Sequence, residues 1–234
     1  MDHGRSDGHD HGAHAHGAHE HAAHEHAAHD HDHPAHDHDH PAHDHDDPAA
    51  MYAAALVAHR QTKDEVFRHS QQSPIPHDYR HDFAGLSYYP PDLRFRLEGL
   101  RRRPYEGEEP VRFAIPTSDG RLRPAERAGV LDFELDGQAL RLTGYRFEGD
   151  EDDDSLFVPF MDATSGVETY GAGRYLELEP EDDGSYTLDF NLAYNPFCVY
   201  DPRFSCPITP PENRLPVRIE AGERMPEALA SSSG

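Results

Sequence analysis

The chain has no tryptophan, only two cysteines, and a single lysine, Lys63, among its 21 basic residues. Two cysteines, Cys198 and Cys206, are too few for the disulfide framework of a small secreted domain. No apolar run approaches the roughly 18 residues of a membrane-spanning helix, and the N-terminus lacks the apolar stretch of a secretory signal. The expectation is a soluble, cytoplasmic protein with no membrane partner. Positive charge is also scarce: 45 acidic side chains leave a net charge of −24. Such a surface repels nucleic acid and anionic lipid, which excludes both as partners. The GxSxG, HExxH, Walker A and GxGxxG signatures are absent, so a catalytic reading rests on no motif.

The acid excess is spread along the chain. Residues 1–48 carry 12 acids and one arginine, and the remainder carries 33 acids against 20 basic residues. An excess of this size with almost no lysine suits a halophilic protein, in which concentrated salt screens self-repulsion.

The first 48 residues hold almost nothing apolar beyond alanine, so burial cannot offset the entropy of ordering them. They read as a disordered arm, and residues 49–234 as one domain. What the arm does hold is histidine, 17 of the chain's 21. A five-residue unit, His-x-His-x-Ala, begins at His9, His14, His19 and His24 and brings in His11, His16, His21 and His26. A seven-residue unit, His-Asp-His-Asp-His-Pro-Ala, follows with His29, His31 and His33, then His36, His38 and His40. A third copy keeps His43 and His45 but has Asp47 where a histidine would stand. Neutral imidazole is a common ligand of Zn, Ni and Cu, and His-x-His pairs can bring two rings to one ion. Interspersed acids add oxygen ligands, so the arm is expected to bind or buffer a divalent transition metal. The same pattern also fits a solvated spacer that binds metal incidentally.

Residues 49–72 read as a helix with Leu56, Val57, Val66 and Phe67 as its buried stripe. Beyond Ser73-Pro-Ile-Pro the chain turns to short alternating segments. Candidate strands are Phe83–Tyr89, Leu93–Glu98, Val111–Pro116, Val130–Leu135, Ala139–Phe147, Ser155–Met161, Gly173–Leu178, Tyr186–Leu192 and Val217–Glu220. Turn signals at Asp136-Gly and Asp182-Asp-Gly predict hairpins joining the segments on either side. The expected fold is a mainly β single domain, an antiparallel barrel or sandwich with one N-terminal helix. Ala193–Pro216, with six prolines and both cysteines, cannot be a regular strand. Long irregular segments inside a compact domain often carry a site.

Three blocks stand in a fixed order: LFVPFMDATSGVETYGAGRYLELE from Leu156, LDFNLAYNPFCVY from Leu188 and SCPITPPENRLPVRIEAGE from Ser205. With the upstream stretches RQTKDEVFRHSQQSPIP and FAGLSYYPPDLRFR, they resemble the domain of unknown function 1684 family of bacteria and archaea. The resemblance spans about positions 60–224 and leaves the histidine arm outside. It implies no activity, but its signature falls on Ala193–Pro216.

The polar residues of these blocks form the candidate ligand pocket: Asp162, Tyr170, Arg174, Asp189, Asn191, Tyr194, Asn195, Cys198, Cys206, Asn213 and Arg214. Asp189 and Asn191 would share one face of a strand, and Arg174 and Arg214 could make forked bonds to Asp162 or Asp189. The same groups could instead pin a proline-rich loop through bonds to backbone. The cysteines could form a disulfide, two buried thiols, a metal site or a nucleophile. Two functional readings follow. In the first, the arm binds metal ions and the β domain binds a small molecule or a protein partner, with no cofactor evident in the domain. In the second, the chain is an enzyme, a hydrolase among the options, with a polar pocket around Asp189, Arg174 and Cys198.

Overall fold

The structure, a computed structural model, describes residues 47–149 and 154–226. Residues 1–46 of the arm, with all its candidate metal ligands, lie outside the described residues, as does most of the acidic run 148–154.

The helix α1 (Pro48–His69) starts where the histidine repeat breaks. Asp47 is its N-cap, accepting a hydrogen bond from the Ala49 N–H at 3.0 Å, and Pro48 occupies the first turn. The predicted stripe holds at Leu56 and Phe67, both buried. Val57 and Val66 are exposed instead, and Arg60 is the third buried residue. An arginine takes that place because its guanidinium finds backbone acceptors, the Tyr89 carbonyl at 2.8 Å and that of Asn191 at 3.4 Å. Its charge also lies over the Tyr88 ring.

The fold is mainly β, with two sheets. Strands β2 (Arg112–Pro116), β3 (Leu122–Leu135), β4 (Gln138–Phe147), β5 (Leu156–Phe160) and β6 (Arg174–Leu178) form an antiparallel meander in that order. Strands β1 (Arg96–Leu100) and β7 (Tyr186–Asp189) pair antiparallel as a second, two-stranded sheet. Leu131, Phe133, Leu142, Val158, Phe160 and Leu176 from the large sheet share one core with Leu188 and Phe190, so the two sheets pack face to face. The two-residue turn at Asp136-Gly137 has positive φ at both positions, 50° and 76°. That is the hairpin geometry which matches strand twist, and it fixes the pairing of Leu135 with Gln138.

Several expected elements differ. β3 begins at Leu122 rather than Val130, because a bulge between Arg127 and Gly129 interrupts the alternation read from sequence. That bulge shifts the parity of the strand, so Leu131 and Phe133 join the main core while Ala125 joins a smaller cluster with Ile115 and Phe147. The Asp182-Asp-Gly turn forms, with Glu181 donating to the Ser185 carbonyl at 2.8 Å, but its flanking strands enter different sheets. Phe83–Tyr89 and Val217–Glu220 are not strands; the first makes one bridge, Tyr88 to Glu223. Tyr186–Leu192 stops as a strand at Asp189 and ends in a short 3-10 turn.

Candidate functional site

Arg174, on β6, is fully buried and reaches into the segment just before Glu223. It donates to the carbonyls of Ala221, Ile219 (2.9 Å) and Glu223 (3.1 Å) and pairs with Asp162 at 3.3 Å. Burial pulls its pKa below the ordinary arginine value, and the Asp162 charge acts in the opposite direction. Asp162 in turn accepts from the Ile219 N–H at 2.8 Å and from Thr164, which bonds Thr169. Ile219 in the Val217–Glu220 segment is held by these two side chains, and the Val217 carbonyl accepts from the Ala163 N–H at 2.8 Å. Asn213 acts in the same way: its amide bonds both backbone groups of Thr143 and the Pro159 carbonyl, each at 2.8 Å.

Asp189 caps the turn that ends β7 through the Asn191 N–H at 2.9 Å and accepts from the Tyr52 hydroxyl at 2.7 Å. Asn191 bridges to both backbone groups of Asp92. Asn195 anchors Glu223 and the Arg224 carbonyl, and Arg214 is exposed. These seven candidates, Asp162, Arg174, Asp189, Asn191, Asn195, Asn213 and Arg214, do not line a common cavity. Five of them are bonded to loop or turn backbone, and Asn213 is bonded to the backbone of β4 and β5.

The remaining four gather elsewhere. Odd-numbered residues of β4 and β6 and Phe157 of β5 point away from the core, and the loop after Ala193 folds over them. Between sheet and loop lies an open cleft of about 560 Å³. Its walls include Tyr145, Phe147, Phe157, Tyr175, Tyr194, Phe197, Phe204 and Cys206, with Arg123, Arg146, Glu177 and Glu179 among the polar groups. Tyr175 packs edge-on against Phe157, with ring centres 4.8 Å apart, and donates to the Pro207 carbonyl. Tyr194 donates to Glu177 at 2.6 Å.

Cys206 lines the loop side of this cleft, and Cys198 lies behind it, in contact with Cys206 but outside the cleft wall. Both are reduced; Cys206 is buried and Cys198 half-buried. The Cys198 N–H donates to the Cys206 sulfur at 3.3 Å. The turn after β2 clamps the loop: Ser118 N–H donates to the Cys206 carbonyl at 2.8 Å, and the Cys206 N–H to the Ser118 hydroxyl at 3.1 Å. The neighbouring Cys206 thiol holds the Cys198 pKa down, to about 6, despite partial burial, and Ser118 and Tyr170 act in the same direction. The partner thiol, facing that ionised sulfur and buried, is pushed well up. Tyr170 is raised by burial and by the same sulfur, so it remains a hydroxyl donor.

Sequence reasoning missed Ser118 and Tyr175. Tyr175 was legible in the alternation of β6, where it faces opposite Leu176; Ser118 carried no signal, because only the fold brings the 117–121 turn to the cysteines. Among the described residues no group of three or more His, Cys, Asp or Glu is placed to hold a metal ion. Nor is any described helix long and apolar enough to cross a membrane.

Residues 81–224 match the family described as a protein of unknown function, DUF1684. The chain belongs to that family. Both cysteines, the cleft and the Arg174 clasp fall inside the DUF1684 segment. The chain is also similar to an uncharacterised protein of Haloarcula marismortui whose structure was solved in solution by NMR. The identity is 43%, covering 75% of this chain and 95% of that one, with a TM-score of 0.55. No curated protein matches.

Proposed function

We propose that the folded part is an enzyme that binds a small organic substrate in the cleft and attacks it with the Cys198 thiolate. One arrangement carries the reading: Cys198, its pKa held down by the Cys206, Ser118 and Tyr170 donors, is in contact with Cys206, which lines a concave aromatic cleft. Thiolate is the nucleophilic form of cysteine, and ordinary structural cysteines lack such donors. The cleft volume lies in the range of small-molecule sites, and its aromatic lining would take an apolar body. Arg174 and Asp189, placed at the centre of the enzyme reading from sequence, lie outside the cleft and hold the 219–223 segment and the turn at Asn191 instead. The experiment compares alkylation of the reduced protein by iodoacetamide and by a haloacetamide carrying an aromatic group. The aromatic reagent should show saturation kinetics on Cys198, and iodoacetamide should not. Linear kinetics for both reagents would remove the cleft from the reading.

The arm supports a second activity, the binding or buffering of Zn, Ni or Cu, through sixteen histidines from His9 to His45 in His-x-His units. Four imidazoles per ion allow about four sites. Each pays an ordering cost and should be weaker than a preformed site. The placement of this protein in a salt-rich cytoplasm belongs to the same proposal and rests on the acid excess and the near-absence of lysine.

A further inference from the structure

We propose that Cys198 and Cys206 form a two-thiol redox centre that reduces an organic hydroperoxide and closes to a disulfide. The inference rests on the thiolate reading above and names its substrate class.

A thiolate with a second thiol in contact has a reaction open to it that a lone nucleophile lacks. Acyl transfer by a cysteine commonly pairs the thiolate with a histidine that protonates the leaving group. The four histidines among the described residues, His59, His69, His77 and His81, are all exposed and none lines the cleft. A metal would call for further ligands, which the described residues do not gather. Peroxide chemistry needs neither. The Cys198 sulfur attacks one peroxide oxygen and the O–O bond breaks. The sulfur is oxidised to a sulfenic acid, and the leaving alkoxide takes a proton from Tyr170 or water to depart as the alcohol. Tyr170 regains its proton from solvent. The Cys206 sulfur, its proton lost to solvent, then attacks the sulfenic sulfur; the S–S bond forms and the hydroxyl leaves as water. One hydroperoxide and two thiols thus give one disulfide, one alcohol and one water. A dithiol reductant restores the pair.

The fold favours the second step. The seven residues between the cysteines already turn back on themselves, with Tyr200 and Asp201 N–H groups bonded to the Phe197 carbonyl at 3.0 and 3.1 Å and Phe204 N–H to that of Asp201 at 3.1 Å. The Cys198 N–H already donates to the Cys206 sulfur at 3.3 Å, which brings that sulfur to its partner residue before any closure. An organic rather than an inorganic peroxide fits because Cys206 forms part of a cleft whose walls are Phe157, Tyr175, Phe197 and Phe204.

The test treats the reduced full-length protein with one equivalent of cumene hydroperoxide or of hydrogen peroxide, then counts thiols and maps peptides by mass spectrometry. The expected result is loss of two thiols per peroxide, a Cys198–Cys206 disulfide reversed by dithiothreitol, and a rate at least tenfold higher with cumene hydroperoxide. In Cys206→Ser the oxidised Cys198 should persist as a sulfenic acid trapped by dimedone. In Cys198→Ser thiol consumption should slow at least tenfold. Thiols that survive, or a Cys198 that passes to sulfinic acid with no disulfide, would overturn the proposal. Equal or faster reaction with hydrogen peroxide would overturn the organic assignment. Ultraviolet titration of the same reduced sample separates the two levels. A thiolate present near neutral pH without disulfide formation sinks only the redox step, whereas an ordinary thiol sinks the nucleophile as well.

Discussion

Lys63, the one lysine in the chain, lies between the rings of Phe67 and Tyr194 and pairs at 2.7 Å with Glu223, which is only 1% exposed. Glu223 also accepts from the Asn195 N–H at 2.7 Å and from Tyr200 at 3.3 Å. The pair fastens α1 to the loop that covers the cleft. Lys63→Met should leave Glu223 buried without its cation and cost about 2 kcal/mol or more; adding Glu223→Gln should recover part of the loss, both read from denaturant unfolding. The thiols leave their own mark on stability. Cys198 is lowered in the fold, so its contribution is lost as pH falls from an ordinary thiol value of about 8.5 through about 6. Cys206 is raised, so its contribution is lost as pH rises above that ordinary value. Reduced protein should therefore gain stability from pH 6 towards about 8.5 more steeply than Cys198→Ser does. Parallel pH profiles would contradict the shifts. Residue chemistry of this kind was partly legible: the sequence presents two cysteines in a proline-rich loop, but not that Ser118 and Tyr170 would meet them.

Strand positions followed from alternation wherever both neighbours were regular, as in β4, β5 and β6. They failed where side chains replace sheet partners. Val217–Glu220 reads as a strand because Val217 and Ile219 alternate with charge, yet both backbone groups of Ile219 are taken by the Arg174 and Asp162 side chains. A periodicity argument counts side chains and is blind to the partner of the backbone. The clasp predicts its own mutants. Arg174→Ala should cost about 3–5 kcal/mol by leaving Asp162 and three carbonyls unmatched, and Arg174→Lys should rescue little because an ammonium lacks the fork. Gly222→Ala should also destabilise: φ is +75°, and a Cβ would lie 2.6 Å from the Ala193 carbonyl oxygen. Thermal denaturation checks all three, and a transition unchanged in Arg174→Lys would argue that the clasp is electrostatic rather than geometric.

For the whole molecule, the balance of charge and the histidine repeats set behaviour that the fold does not. Residues 49–234 hold 33 acids against 20 basic residues, so the melting temperature should rise between dilute and molar KCl as repulsion is screened. A chain starting at Asp47, which keeps the cap of α1, should melt close to the full-length protein while losing most of its Zn or Ni equivalents in calorimetry at pH 7.5. That uptake should weaken below about pH 6 as protons compete for imidazole. If the shortened chain kept its metal, the ligands would belong to the domain. The central claim, however, concerns the cleft and its sulfur. Ultraviolet titration of the reduced protein beside Cys198→Ser tests it most directly: the account predicts one thiolate appearing with a midpoint near pH 6 in the wild type and lost in the variant. Two thiols ionising together near the ordinary value of about 8.5 would contradict it.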